Sequence, residues 1–233
     1  MSNTKRAAAK VQSPALAVAA EAEPGGESRA LARRRIIITE AAKQFVKQGF
    51  DGTSMRDIAA ASGIMAGSLY YHFASKEELF VAVHGTGMDL IEKAVRRAMA
   101  GLDDPWLRLE AAAAAHCETM LGGSDLGAIV TQHFSPSMAK IKPELIAQRD
   151  KYEILIKQLV ADLDLPPSIP PAVFRLHYLG ALNWLPTWYR PGQGLPVAQL
   201  GKLLVAMLRG AGAFPDLTLG AEPVLPARKP KRK

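Results

Sequence analysis

Residues 54–79 read SMRDIAAASGIMAGSLYYHFASKEEL. Ser54, with Asp57 three positions on, has the form of a capping box, which opens a helix by matching a hydroxyl and a carboxylate to free N–H groups. Met55, Ile58 and Ala59 give that short helix an apolar face. Gly63 stands where a tight turn between helices requires positive φ. A third short helix, about Ala66 to Phe73, starts with the nearly bare Ala66-Gly67-Ser68 and ends in Tyr70-Tyr71-His72-Phe73. Ser75 with Glu78 repeats the capping box and launches a long helix through Leu79, Val83, Leu90 and Val95. Upstream, Leu31, Ile38, Ala41, Ala42 and Phe45 recur at helical spacing until Gly49 ends the run.

Two short helices joined by a glycine turn, behind a longer one, make a helix-turn-helix. In that geometry the third helix enters the DNA major groove with its first residues at the base edges. Ala66 and Gly67 let the backbone come close, and Ser68 can donate to a base or a phosphate. The helix start favours phosphate. Tyr71 and His72 reach phosphates to either side, while Thr53, Ser54 and Arg56 before them and Lys76 after them face the DNA backbone. Leu69 and Phe73 turn inward, and Tyr70 is expected to share their side. The run Arg33-Arg34-Arg35 is either a solvated face or a phosphate contact.

The net charge of +7 is unevenly placed. Residues 81–219 carry 13 basic and 13 acidic side chains, whereas residues 220–233 carry five basic and one acidic. Excess charge in the first third and the tail suits a polyanion partner. Residues 1–28 read as a disordered arm with Lys5, Arg6 and Lys10, and residues 214–233 as a basic tail. Between them, residues 29–80 form the DNA-binding part and residues 81–213 a larger helical part. Its helices are expected near Trp106–Leu121, Leu126–Phe134, Met138–Asp162, Pro171–Tyr189 and Val197–Gly210. No alternating β-branched run occurs, so the expected fold class is all-α. One cysteine, Cys117, excludes an internal disulfide framework and fits a reducing cytoplasm. No apolar stretch has the length of a membrane span.

The order Phe45, Gly49, Phe50, Thr53, Ser54, Ile58, Ala59, Ser62, Gly63, Ile64, Gly67, Ser68, Leu69, Tyr70, Phe73, Ser75, Lys76, Glu77, Leu79 resembles the signature of the TetR family of bacterial transcriptional repressors. The resemblance covers about thirty-five residues. It implies a homodimer on double-stranded DNA, each subunit joining an N-terminal DNA-binding domain to a helical ligand domain. Base or phosphate contacts then fall to Thr53, Ala66, Gly67, Ser68, Tyr71, His72 and Lys76. The pair Met65-Ala66 departs from the polar or basic residues many relatives carry, which favours apolar contact with thymine methyls.

Two stretches of the larger part, ALNWLPTWYRPGQGLP (181–196) and AQRDKYEILIKQLV (147–160), resemble a TetR subgroup that responds to acyl-CoA thioesters. A slot lined by Met120, Ile129, Phe134, Tyr152, Phe174, Tyr178 and Leu182, with Arg149 meeting phosphate, would suit such a molecule. Trp184, Trp188 and Tyr189 are assigned to the subunit interface. Ligand entry is expected to shift the helix that begins near Lys76 and so part the two recognition helices.

Alternatives are a TetR-type sensor of lipophilic drugs governing efflux or detoxification, and a ligand-free architectural or activating DNA-binding protein. An enzyme is not expected. His72, His84, His116, His133 and His177 show no metal-ligand spacing, and no nucleophile or phosphate-loop motif occurs. His116 and His133 read as buried, hydrogen-bonded side chains. No metal or cofactor is implied.

Overall fold

Ser54 caps the second helix through the reciprocal bonds its capping box requires: its Oγ accepts from the Asp57 N–H at 3.2 Å, and its own N–H donates to Asp57 Oδ2 at 3.2 Å. The computed structural model describes residues 29–131, 134–190 and 195–210, and every regular element among them is helical. The order is α1 (Arg29–Gly52), α2 (Met55–Ala61), α3 (Ala66–His72), α4 (Lys76–Met99), α5 (Pro105–Leu121), α6 (Asp125–Ala128), α7 (Lys142–Ala161), α8 (Pro171–Trp188) and α9 (Val197–Gly210). The arm, the tail and His133 lie outside the described residues.

Several boundaries shift from expectation. The helix expected over Leu126–Phe134 is one turn of α6 followed by a 3₁₀ turn, Ile129–Thr131. The one expected from Met138 begins at Lys142, after a second 3₁₀ turn, Pro136–Met138. At α4 only half of the second capping box forms: Ser75 Oγ accepts from Glu78 N–H, but the Glu78 carboxylate takes the N–H of Ala74 at 2.8 Å. Gly49 adopts φ 72° and kinks α1, so Phe50 turns back into the core.

The DNA-binding end is built on three rings. Phe80 meets Phe45 and Phe50 edge-on, with centroids 5.0 and 5.3 Å apart, and Ile37, Ile58, Leu69 and Phe73 close the same core. Gly63, at φ 65°, makes the turn between α2 and α3. The division expected at residue 80 falls inside α4, which runs unbroken from the DNA-binding end into the larger helical part. There α5 lies at the centre, against α4 on one side and α8 and α9 on the other. Its N-terminus is set by Asp104, whose carboxylate accepts from the Leu107 N–H at 2.8 Å, with Pro105 in the first turn.

The α5–α9 contact depends on small residues. A Cβ on Gly201 would stand 2.5 Å from the Ala113 carbonyl carbon and the Ala114 nitrogen, both backbone atoms that cannot step aside. Gly201→Ala is therefore expected to destabilise the protein by about 1–3 kcal/mol despite its better helix propensity. A thermal midpoint equal to or above the parent's would show that the two helices separate freely.

Candidate functional site

The surface of α3 is open where the sequence asks it to be. Tyr71 is 86% exposed, Gly67 and Ser68 are exposed, Ala66 is partly covered, and Met65 projects at the helix start. Arg56 and Ser54 are exposed on the neighbouring helix, although the Ser54 hydroxyl also donates to Asp57 at 2.6 Å. His72 is half-buried beside Tyr71, their rings 5.4 Å apart. Leu69 and Phe73 hold the helix from inside. Tyr70 does not join them: it is 53% exposed, because one residue past Leu69 on a helix turns about 100° away.

Two residues expected on the DNA backbone have other partners. Thr53 is 2% exposed, and its hydroxyl donates to the Gly49 carbonyl at 2.7 Å, closing the frayed end of α1. The Lys76 ammonium donates to the carbonyls of Phe50 (2.8 Å) and Thr53 (3.0 Å) and lies 4.3 Å from the Phe50 ring centroid. Its charge joins α4 to α1. Within the arginine run, Arg34 donates to the His72 carbonyl at 3.1 Å and stacks over Phe73, capping the far end of α3.

A cavity of about 570 Å³ opens in the larger part, between α4, α5, α7 and α8. Phe134, Arg149 and Tyr152 line it as expected. The other expected lining residues do not. Phe174, Tyr178 and Leu182 form the stripe of α8 that packs inward; Tyr178 donates to the Leu109 carbonyl of α5, and Phe174 meets Trp106 edge-on. Met120 and Ile129 are core residues as well. The cavity uses the adjacent flank of α8, Leu179, Gly180, Asn183, Trp184, Pro186 and Thr187, together with Met88 and Ile91 of α4 and His116 of α5. Met88, Ile91, His116 and Asn183 were missed by sequence reasoning, although Asn183 sits within the quoted Asn-Trp string.

Arg149 is the cation of this wall. It donates to the Val130 carbonyl at 2.9 Å, stacks over Phe134 at 4.4 Å, and has no carboxylate partner among the described residues. Burial lowers its pKa. By contrast, Arg175 pairs with Glu153 at 2.9 Å, and Arg190 closes on the carbonyls of Tyr189 and Thr187. On α5, His116 is fully buried and its Nδ1 lies 2.9 Å from the Tyr152 hydroxyl. Burial pushes the His116 pKa down to about 4, opposed by hydrogen bonding to the Asn183 side chain, although no hydrogen-bond partner lies within 3.5 Å of its Nε2 among the described residues. Desolvation raises the Tyr152 pKa and, to about 12, that of the neighbouring Cys117.

An apolar stripe runs down the outside of α8 through Val173, Leu176, Trp184 and Trp188, flanked by Leu203 and Met207 of α9. Trp184 is 60% exposed and also edges the cavity. Tyr189 departs from its assigned place in that surface: it is 8% exposed, and its hydroxyl donates to the Leu195 carbonyl at 3.2 Å.

Two family models match. Residues 37–83 fit "Bacterial regulatory proteins, tetR family", and residues 102–211 fit "Tetracyclin repressor-like, C-terminal domain", together about two thirds of the chain. The chain belongs to the tetR family. It is a DNA-binding regulator, and α2–α3 is its helix-turn-helix. Among the described residues, no group of three or more His, Cys, Asp or Glu is arranged to hold a metal, and no helix is long and apolar enough to cross a membrane. Similar proteins include the HTH-type transcriptional repressor KstR2 of Mycobacterium tuberculosis H37Rv, 28% identical over 188 residues, which span 76% of this chain and 92% of that one. The structure of that organism's ketosteroid regulator KstR2 superposes with a TM-score of 0.58 at 26% identity, covering 80% and 96% of the two chains. AibR, solved in complex with isovaleryl coenzyme A and operator DNA, gives a TM-score of 0.63 at 28% identity, covering 75% of this chain and 97% of its own.

Contrasting substitutions separate structural from DNA-facing residues in this TetR-family chain. Lys76→Ala should lower the thermal midpoint through loss of about 1–3 kcal/mol in charge-assisted bonds. Tyr71→Ala should leave the midpoint unchanged while weakening operator binding about tenfold or more, as one phosphate bond is lost per half-site. The reverse pattern in melting and gel-shift assays would exchange their roles.

The depressed pKa of His116 also fixes a pH dependence. The unfolded imidazole binds a proton near pH 6.5 and the folded one only near 4, so stability is full above 6.5 and declines as pH falls through that window. The loss is on the order of 3 kcal/mol. His84, also buried, has its pKa lowered mainly by desolvation and adds in the same sense. Denaturant titrations at pH 7 and 4.5 should show the decline, and His116→Gln should flatten it; equal slopes would place the His116 ring in contact with solvent.

Proposed function

We propose that this chain is a dimeric, cytoplasmic transcriptional repressor that holds a near-palindromic operator and releases it when an acyl-CoA thioester enters the cavity. The observation that carries the ligand class is Arg149, a largely buried guanidinium in the cavity wall with no carboxylate partner among the described residues. Such a cation is stabilised by an anionic group brought in by a ligand. A cavity of about 570 Å³ holds an acyl chain, with the nucleotide end of coenzyme A extending past Trp184 and Thr187 at the exposed flank of α8. Support also comes from the relatives: one is named a repressor, and another was solved with isovaleryl coenzyme A and operator DNA.

On the DNA side, Ala66, Gly67, Ser68 and Met65 of α3 meet base edges, while Tyr71, His72, Arg56 and Ser54 meet phosphates. Residues 29–80 supply this surface and residues 81–213 the ligand and dimer surfaces. The stripe from Val173 to Trp188, with Leu203 and Met207, forms the dimer interface, since an exposed apolar face of two adjacent helices is covered most simply by a second copy of itself. Release requires the ligand to bind the DNA-free conformation more tightly than the DNA-bound one.

Fluorescence anisotropy on the protein's own promoter tests this. Isovaleryl-CoA or another short or branched thioester should release the DNA, with free coenzyme A much less effective. Arg149→Ala should raise the concentration required about 10- to 100-fold, the loss of one charge-assisted contact. Tight, specific DNA binding that no thioester disturbs would remove the ligand class and leave the DNA-binding role standing.

A further inference from the structure

Two histidines of the larger part are buried with one ring nitrogen bonded and the other unpartnered, and their neighbours fix opposite tautomers. At His84, Nδ1 lies 2.6 Å from Gln148 Oε1, and that amide's nitrogen donates to the Val81 carbonyl. The amide oxygen only accepts, so Nδ1 carries the proton and Nε2 is an acceptor. At His116 the partner is the Tyr152 hydroxyl, which has no other bond among the described residues. Were Nδ1 to donate to Tyr152, both the phenol hydrogen and the Nε2 lone pair would stay buried and unmet. With the phenol donating to Nδ1, a single group is unmet, the Nε2–H. Each unmet buried polar group costs free energy, so the second arrangement is favoured.

His116 also lines the cavity, whereas His84 does not. Its side chain is fully buried, its Nε2 has no hydrogen-bond partner within 3.5 Å among the described residues, and the Asn183 side chain lies close enough to raise the ring's pKa. Tyr152 shares the same wall and Asn183 adds an amide. Apolar side chains such as Met88, Ile91 and Leu179 share the lining with Thr131, Glu153 and Thr187. A buried neutral donor selects an uncharged acceptor oxygen. It offers nothing to an ammonium, and a carboxylate is better served at Arg149.

We propose that His116, held by Tyr152, is a recognition subsite whose Nε2–H donates to a carbonyl oxygen of the effector's acyl group. This deepens the acyl-CoA reading and, for the thioester carbonyl, rests on it. The oxygen belongs either to the thioester itself or to a ketone along the chain. Both present the same acceptor to the same donor. Tyr152 acts as a positioning residue, since its hydroxyl sets which nitrogen of His116 bears the proton.

The test uses matched pairs of ligands on the unaltered full-length protein. One pair is isovaleryl-CoA and its S-alkyl thioether analogue, which lacks only the carbonyl. The other is a lipophilic cyclic ketone and its exocyclic-methylene isostere. The carbonyl member of at least one pair should bind about tenfold more tightly, the contribution of one neutral hydrogen bond. Binding should move the His116 Nε2–H resonance in nitrogen-15 NMR. His116→Phe should erase the difference within that pair, and Tyr152→Phe should reduce it. Should His116→Phe fail to fold, the matched pairs and the imidazole spectrum decide alone. A preference in the thioester pair assigns the thioester oxygen; one in the ketone pair alone assigns a chain carbonyl. Thioesters that bind and release DNA with no preference over thioethers, and ketones that show none over their isosteres, overturn the subsite and leave the acyl-CoA reading intact. A preferred ketone with no thioester bound does the opposite. Failure of all four ligands to bind, or an unprotonated Nε2 in the free protein, overturns the subsite outright.

Discussion

The ammonium of Lys76 ties the start of α4 to the end of α1. It sits beyond the kink of α1, where the carbonyls of Phe50 and Thr53 have left the helix ladder, and satisfies both at once. The Phe50 ring against its charge and the Thr53 hydroxyl on Gly49 complete a small polar knot over the aromatic core. Because Lys76 is also the first residue of α4, this knot fixes where α4 departs from the end of α1. A second tie lies nearby: Asp51 accepts from Ser137 in the 3₁₀ turn that follows Phe134, and this bond, with help from Ser135, lowers the carboxylate's pKa. Phe134 itself touches Arg149 in the cavity wall. A short covalent and packed route therefore leads from the cavity wall to the end of α1.

The helix-turn-helix was legible because its local signals are redundant. A capping box, an obligatory glycine and an inward Leu69–Phe73 pair all specify the same turn. What escaped were side chains with two physically reasonable fates. Thr53 and Lys76 are polar residues beside a DNA-facing helix, and their recruitment by α1 carbonyls follows from the Gly49 kink, which no periodicity reveals. Tyr70 was placed by proximity to Phe73, although the angular position along α3 turns it outward.

The larger part was legible as helices but not as a cavity. Helices α5 and α8 are apolar on several faces, so an apolar residue there belongs equally well to core or lining. Phe174, Tyr178 and Leu182 follow the stripe that meets α5, one flank away from the cavity. The polar exceptions were the better guides. Arg149 and Tyr152, three residues apart, lie on one face of α7 and do reach the cavity. His116 was anticipated as buried; that only one of its nitrogens is bonded is a property of three dimensions.

The unbroken course of α4 has a mechanical consequence. Its 24 residues make a rod of about 36 Å, with Lys76 at one end and Met88 and Ile91, which face the cavity, near its middle. From Ile91 to Lys76 is about 22 Å, so a tilt of about 5° at the cavity carries the DNA-binding end sideways by about 2 Å. In a two-fold pair these displacements add to about 4 Å, against a half-site spacing of about 34–36 Å that must be matched to within a fraction of a groove. On the proposed reading, a ligand that tilts α4 by this amount would move the far end by that distance.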